Sequence, residues 1–349
     1  MTVALITDQH LDGRKGSVIF WEYFHKFYDE IFFPTLEKYN VKTIIDLGDT
    51  FDNRKSIDFN VWNRVRKYYF NRLRDAGITV HMILGNHCTY YKNTSEINSP
   101  ELLLSEYDNI TIYAKPQTAT IDGTEILMLP WINQENYDET IELINSTSAK
   151  IAMGHLELNG FEVTVGVMME HGMEPSIFSK FKQVFSGHFH HKSKKGNIQY
   201  LGNPYQMFWN DYKDERGFHL YEPTTNKLKR VKNPYEIFKK IYYNDSIDSS
   251  FSIDPSEYSN TFVKVIVEQK TDHYKFEKII EDLNNAGAHD LKIIENVIDK
   301  TIDYNDDNIE IKDTLSLLNE YVDEVEMTVN KSSLKQLLKT LYIESCEVM

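Results

Sequence analysis

Short apolar runs recur along the first part of the chain, and each stops on a polar residue. "VALITD" (3–8) predicts a buried strand ending on a carboxylate. Trp21, Phe24, Tyr28 and Ile31 then repeat at helical spacing. "TIIDLGD" (43–49) is a second short strand, ending in Gly-Asp. A helical pattern fills roughly 58–76, with Phe59, Trp62, Val65, Tyr69 and Leu73 on one face. "TVHMILGNH" (79–87) is a third strand. Strand–helix alternation of this kind predicts an α/β fold in which helices cover a sheet.

Further strands are predicted at 110–115, 125–131, 150–155, 183–189, 198–204 and 217–223, with one helix over 134–148. The later strands have no long helices between them, which favours a mixed sheet or a two-sheet sandwich over a purely parallel sheet. The main domain is expected over 1–230, and "EPTTNKLKRVKNP" (222–234) reads as a connection. "IFKKIYYN", "TFVKVIVEQ", a helix closed by Gly287 and "DLKIIENV" make a small α/β module over 236–298. An acidic linker is expected over 299–312. It leads to an arm, 313–349, of two amphipathic segments built on Leu315, Leu318, Val322 and Val325, then Leu334, Leu337, Leu338 and Leu341. The chain carries no internal repeat.

A chain of 349 residues asks for more than one core, and 41% apolar residues can fill it. No apolar run approaches the ~20 residues of a membrane span. "MTVALITDQH" lacks a basic lead and a cleavage pattern, so a cytoplasmic protein is expected. Two cysteines build no disulfide framework. The net charge of −15 argues against a general nucleic-acid coat. Nine acids and one lysine between Asp303 and Glu326 concentrate more than half of it, so a local basic groove elsewhere remains open.

The chemistry sits at five strand ends: Asp8-Gln9-His10, Gly48-Asp49, Gly85-Asn86-His87, Gly154-His155 and Gly187-His188-Phe189-His190. One such histidine alone is more often structural. Together they offer more carboxylate, amide and imidazole ligands than one metal needs, and two metals sharing an aspartate absorb them. Oxygen and imidazole ligands without cysteine favour manganese, iron or zinc over calcium. The repeated glycine is expected to let the backbone turn sharply into a shared cavity.

The series D-x-H, G-D-x-x-D, G-N-H, G-H and G-H-x-H resembles the calcineurin-like metallophosphoesterases, whose fold is a β-sandwich flanked by helices. "GDTFDNRK", "AGITVHMILGNH" and "GHLELNGF" with "GHFH" are similar to the SbcD-type nuclease subunits of double-strand-break repair complexes. Among these they are nearest the small subunits of tailed-phage recombination endonucleases. The resemblance covers about residues 1–210. It implies that Asp8, His10, Asp49 and His190 hold one metal, and that Asp49, Asn86, His155 and His188 hold the other. Manganese is the expected ion, with magnesium as the alternative. His87 would then face the substrate as the catalytic acid, and Asp52 would orient it. The family has Asp or Glu after this histidine; here Cys88 takes its place. Cys88 is then a packing substitution, a weakened partner for His87, or a redox or metal-binding thiol.

Basic residues follow three of the motifs. Arg54 and Lys55, then Lys92, then Lys192 and Lys194 could form a collar for a phosphate backbone. Ordinary solvated loop charge is the plainer alternative. The resemblance implies three partners: DNA, a coiled-coil (SMC-like) ATPase gripped by the arm, and a second copy of the chain, paired through helices near 62–74. It makes 236–298 a DNA-capping module. The function expected is that of a metal-dependent DNA nuclease in such a complex. The alternatives are a phosphomonoesterase or small-molecule phosphodiesterase of the same fold, and a weakly active binding scaffold. Turnover on soluble phosphate esters, or no cleavage at all, would mark these out.

Overall fold

The computed structural model describes residues 2–247, 251–295, 321–323, 330–335, 337, 338 and 341. The chain divides into two compact units, one ending at Phe238 and one beginning at Lys239.

The first unit opens with four parallel strands: β1 (Val3–Ile6), β2 (Thr43–Asp46), β3 (Thr79–Ile83) and β4 (Ile110–Tyr113). A second sheet follows with β5 (Gln117–Ile121), β6 (Thr124–Leu129) and β7 (Ile151–His155). A small hairpin, β8 (Glu162–Thr164) and β9 (Val167–Met168), precedes β10 (Gln183–Gly187), β11 (Lys194–Lys195) and β12 (Ile198–Tyr200). The chain then returns to the first sheet with β13 (Gly217–Glu222) and β14 (Lys227–Lys232). The two orders are β14-β13-β1-β2-β3-β4 and β11-β12-β10-β7-β6-β5. Both sheets are mixed, as the strand spacing led us to expect: the first is parallel from β1 to β4 and antiparallel at its β13–β14 end, and the second has a parallel centre with an antiparallel pair at each edge.

The period-two pattern explains the sandwich. Ile126, Met128, Ile151 and Met153 pack against Val3, Leu5, Ile45 and Ile83 between the sheets. Their neighbours Leu127, Leu129 and Ala152 join Ile144 and Phe178 in a second cluster. Helical segments Val18–Phe27 and Phe33–Lys38, with Tyr28–Phe32 between them, bring Phe27 and Phe32 against Phe218 of β13. A wide turn, Tyr28–Phe32, joins the two segments and inserts an extra residue. It shifts the buried face, so Phe32 rather than Ile31 lies in the core. A second wide turn, Arg66–Phe70, joins Phe59–Val65 to Asn71–Asp75. Phe59 departs from the expected face and is 86% exposed, because it starts the helix just after the Asp58 cap.

The segment expected as a connection contains β14, which pairs with β13 over six residues. Its Lys and Arg content suits an edge strand facing solvent, while Leu228 packs against the inter-sheet core. β5 and the β8–β9 hairpin also lay outside the sequence expectation.

The second unit holds most of β15 (Phe238–Asn244), with β16 (Phe262–Gln269) and β17 (Asp290–Glu295), in the order β15-β16-β17. Helix His273–Asn285 covers it with Phe276, Ile279 and Leu283 against Ile241, Val263 and Val265. Gly287, at φ +84°, closes the helix. The acidic linker and most of the arm lie outside the described residues; within the arm, 321–323 and 331–335 are helical. Among the described residues no helix is long and apolar enough to cross a membrane.

His219 on β13 is buried, and burial pushes its pKa down to about 3. A depressed histidine contributes stability fully above its unfolded pKa near 6.5, and that stability is lost as pH falls toward 3. Urea midpoints should therefore fall between pH 6.5 and 4.5, with about 2 kcal/mol of the loss due to this one group. In His219→Phe the slope should be shallower by up to one proton; an unaltered slope would contradict this assignment.

Candidate metal centre

β1, β2 and β3 run parallel side by side, so the turns after them share one edge. β7 and β10 do the same in the second sheet. Backbone bonds lace the first two turns together: Asp8 N to Gly48 O, His10 N to Asp49 O and Leu11 N to Thr50 O, each 2.9 Å. Other hydrogen bonds cross the sandwich. The His188 amide donates to both Asp8 oxygens at 3.1 Å, and His155 Nδ1 donates to the Leu47 carbonyl at 2.8 Å.

The backbone is strained where the ligands stand. Asp8, His10, Asp49 and His188 hold φ of +50°, +42°, +51° and +86°. Such residues cost about 1–3 kcal/mol each and gather at functional sites. The glycines act in two ways. Gly48, at φ +101°, turns the chain as expected. Gly85 and Gly187 serve close approach instead: a Cβ on the first would overlap the Asp49 carboxylate, and on the second the Thr7 hydroxyl.

Three groups of side chains gather there with ligand atoms within 4.8 Å of one another: Asp8, His10 and His190; Asp49, His155 and His188; and His10, Asp52 and His87. Asn86 joins the second group, its Oδ1 2.9 Å from His155 Nε2 and 3.0 Å from His188 Nδ1. All seven residues expected as ligands thus come together, and all but His190 are buried.

The donor set fits divalent cations. With Nδ1 of His155 engaged by Leu47, its Nε2 faces Asn86 Oδ1 and, at 3.1 Å, Asp49 Oδ2. Three acceptors converge, and either a proton or a cation must lie between them. Burial disfavours a charged His155, but Asp49 and Asp8 overcome this and raise its pKa to about 9. Likewise His10 rises to about 9 against its burial, through Asp52, Asp49 and Asp8. His190, 3.1 Å from His10 between Nε2 atoms, is pushed far down by burial and by His10. Burial raises Asp8, whereas Asp49 is held low despite burial by the His155, His87 and His10 rings. Carboxylates, an amide oxygen and imidazoles gathered this closely form a ligand set that divalent cations can fill by displacing protons.

Residues 1–192 match the family model of the calcineurin-like phosphoesterases. The chain belongs to the calcineurin-like phosphoesterases. It is also 33% identical over 315 residues to exonuclease subunit 1 of Enterobacteria phage T4, covering 89% of this chain and 90% of that one. Two solved structures are similar. A novel archaeal phosphodiesterase aligns with 67% of this chain and 100% of its own, at 11% identity and TM-score 0.34. The Pseudomonas putida nuclease MPE aligns with 66% and 87%, at 14% identity and TM-score 0.34.

In this phosphoesterase the Asp52 carboxylate lies nearer His10 (3.0 Å to Nδ1) than His87 (3.7 Å). The hydrogen bond that orients His87 comes instead from its Nδ1 to the Asp52 backbone carbonyl, at 2.8 Å. Lys55, Lys92, Lys192 and Lys194 are exposed, and Arg54 is half-buried. Supports that sequence reasoning missed lie behind the ligands. Buried Asp46 accepts from Gln9 Nε2, Thr50 Oγ1 and the Gly48 amide, which braces the first two ligand turns. Asp12 accepts from the Asp52 and Asn53 amides and fixes the turn that carries Asp52. Arg216, 3% exposed, bonds the His190 carbonyl and Asn203 and pairs with Asp211 and Asp214. Asp46 was visible as a carboxylate inside an apolar run, whereas Arg216 had no local signal.

Cys88 belongs to none of the three groups, and its side chain is fully buried. Burial, then the Asp49 charge, pushes the thiol up to about 12, so it is neutral at physiological pH and fills space rather than supplying charge. In a Cys346→Ser background, native protein at pH 8 should resist thiol reagents and react within minutes once unfolded. Rapid labelling of the native form would refute the packing role.

Proposed function

We propose that this phosphoesterase is a metal-dependent DNA nuclease, the nuclease subunit of a recombination and repair complex with a coiled-coil ATPase. The observation that carries the reading is the 33% identity, along nearly the whole chain, to a phage exonuclease subunit. Host cytoplasm is the matching location.

Asp8, His10, Asp49 and His190 hold one ion, and Asp49, Asn86, His155 and His188 the other. A mixed imidazole and oxygen set of this kind suits Mn²⁺. When bound, such a pair would supply Lewis acidity toward the phosphate and lower the pKa of a water. His87 protonates the departing ribose oxygen: with Nδ1 turned to the Asp52 carbonyl, its Nε2 is the atom left for substrate. Asp52 steadies both His10 and His87. Arg54, Lys55, Lys92, Lys192 and Lys194 hold the DNA backbone around the site.

Residues 236–298 act as the capping module, and 313–349 as the arm that grips the ATPase. A second copy of the chain pairs through the helices near 62–74. Phe59 and Leu102, 86% and 70% exposed, are apolar side chains of the kind such a seam would cover.

With Mn²⁺, the wild-type protein should cut linear or plasmid DNA. His87→Ser should lower cleavage by about 10²-fold or more, while calorimetry still detects metal binding. Unimpaired cutting by the variant would remove His87 from the reaction. In a pull-down, a coiled-coil ATPase should be retained by the full chain and lost on deletion of 313–349; association that survives the deletion counts against the arm.

A further inference from the structure

Four residues past His10, the chain makes an unusual turn. Arg14, Lys15 and Gly16 all adopt left-handed backbone, with φ of +55°, +57° and +68°. Two of the three carry side chains, for which this conformation is disfavoured. The turn is tightly packed: a Cβ on Gly13 would lie 2.8 Å from the His10 carbonyl and 2.7 Å from the Met207 methyl.

The turn delivers the Arg14 guanidinium to two aromatic rings. Its Cζ lies 4.9 Å from the Phe20 centroid and 5.3 Å from that of Phe208. Phe208 lies nearly parallel to His190, 14° between planes and 6.4 Å between centroids. One ring therefore links this cation to a side chain of the metal centre. That ring is itself fixed. The Met207 and Phe208 amides donate to Asp211 Oδ2 at 2.6 and 2.9 Å, and Arg216 holds Asp211 Oδ1 at 2.7 Å. The same Arg216 bonds the His190 carbonyl, so one buried cation sets both the ligand and the ring beside it.

Aromatic faces restrain a guanidinium through its flat sides and aim its N–H edge, the edge that recognises phosphate in a two-pronged way. The geometry points to Arg14 as a binding residue for the phosphate adjacent to the one being cleaved. Phe208 neighbours both the guanidinium and His190, so the cation stands beside the ligand atoms rather than among them, the side on which a neighbouring phosphate of a strand would lie. This inference rests on the nuclease reading above.

The test compares full-length wild type, Arg14→Gln and Arg14→Lys with Mn²⁺ on two substrates. One is a DNA oligonucleotide; the other is bis-p-nitrophenyl phosphate, a diester with no neighbouring phosphate. For Arg14→Gln, the ratio of kcat/KM on DNA to that on the small ester should fall about tenfold, mainly through KM. The slope of log KM against log salt should become shallower by about one. Arg14→Lys should keep the wild-type salt slope and recover part of the ratio. An equal loss on both substrates would make Arg14 a support of the metal centre or of the fold, and would overturn the inference. A wild-type ratio and slope in Arg14→Gln would overturn it too. A wild-type protein that turns over the small ester but not DNA would instead refute the nuclease reading, and would do so before any variant is made.

Discussion

The hydrogen bond from His155 Nδ1 to the Leu47 carbonyl joins the two sheets where the ligand turns meet. Leu47 immediately follows β2 in the first sheet, and His155 ends β7 in the second. The bond fixes the ring tautomer, and with it the atom turned toward Asp49 and Asn86. It also sets how closely the sheets approach at that edge. The paired bonds from the His188 amide to Asp8 repeat the arrangement one strand away. A site built from residues 8 to 190 keeps its geometry because these few polar contacts sit on a close-packed apolar sandwich.

The support is layered. Ligands occupy strained turns, and the strain persists because buried groups behind them leave no alternative. Asp46 binds Gln9, Gly48 and Thr50 at once. Asp12 fixes the turn at Asp52. Arg216, inside its carboxylates, holds the His190 carbonyl. Each is a polar or charged group at low exposure, which is costly unless paired, and each makes several hydrogen bonds or ion pairs.

Much of the sandwich could be read in the chain, because a strand buried on both faces is a short apolar run that ends abruptly. The ligands were legible for the same reason: each stands at, or within a few residues of, the end of such a run. What stayed hidden needs distance. Arg216 is remote in sequence from His190, and nothing around it announces a buried cation. β14 looked like a loop because Lys and Arg dominate it, and only its pairing with β13 makes it a strand. The wide turns at Tyr28–Phe32 and Arg66–Phe70 add a residue that strict helical spacing does not foresee, which is why Ile31 gave way to Phe32. The glycines had the right positions and partly the wrong explanation, since Gly85 and Gly187 make room rather than bend.

The left-handed backbone at Asp8, His10, Asp49 and His188 also limits how such a centre can drift. Asp, Asn and His are the side-chain-bearing residues that tolerate this conformation best, and β-branched ones tolerate it least. At these positions the main chain screens replacements before any ion does. A lineage that lost its metals would still find aspartate, asparagine and histidine the easiest residues to keep. A ligand pattern here can therefore outlive the chemistry that first selected it.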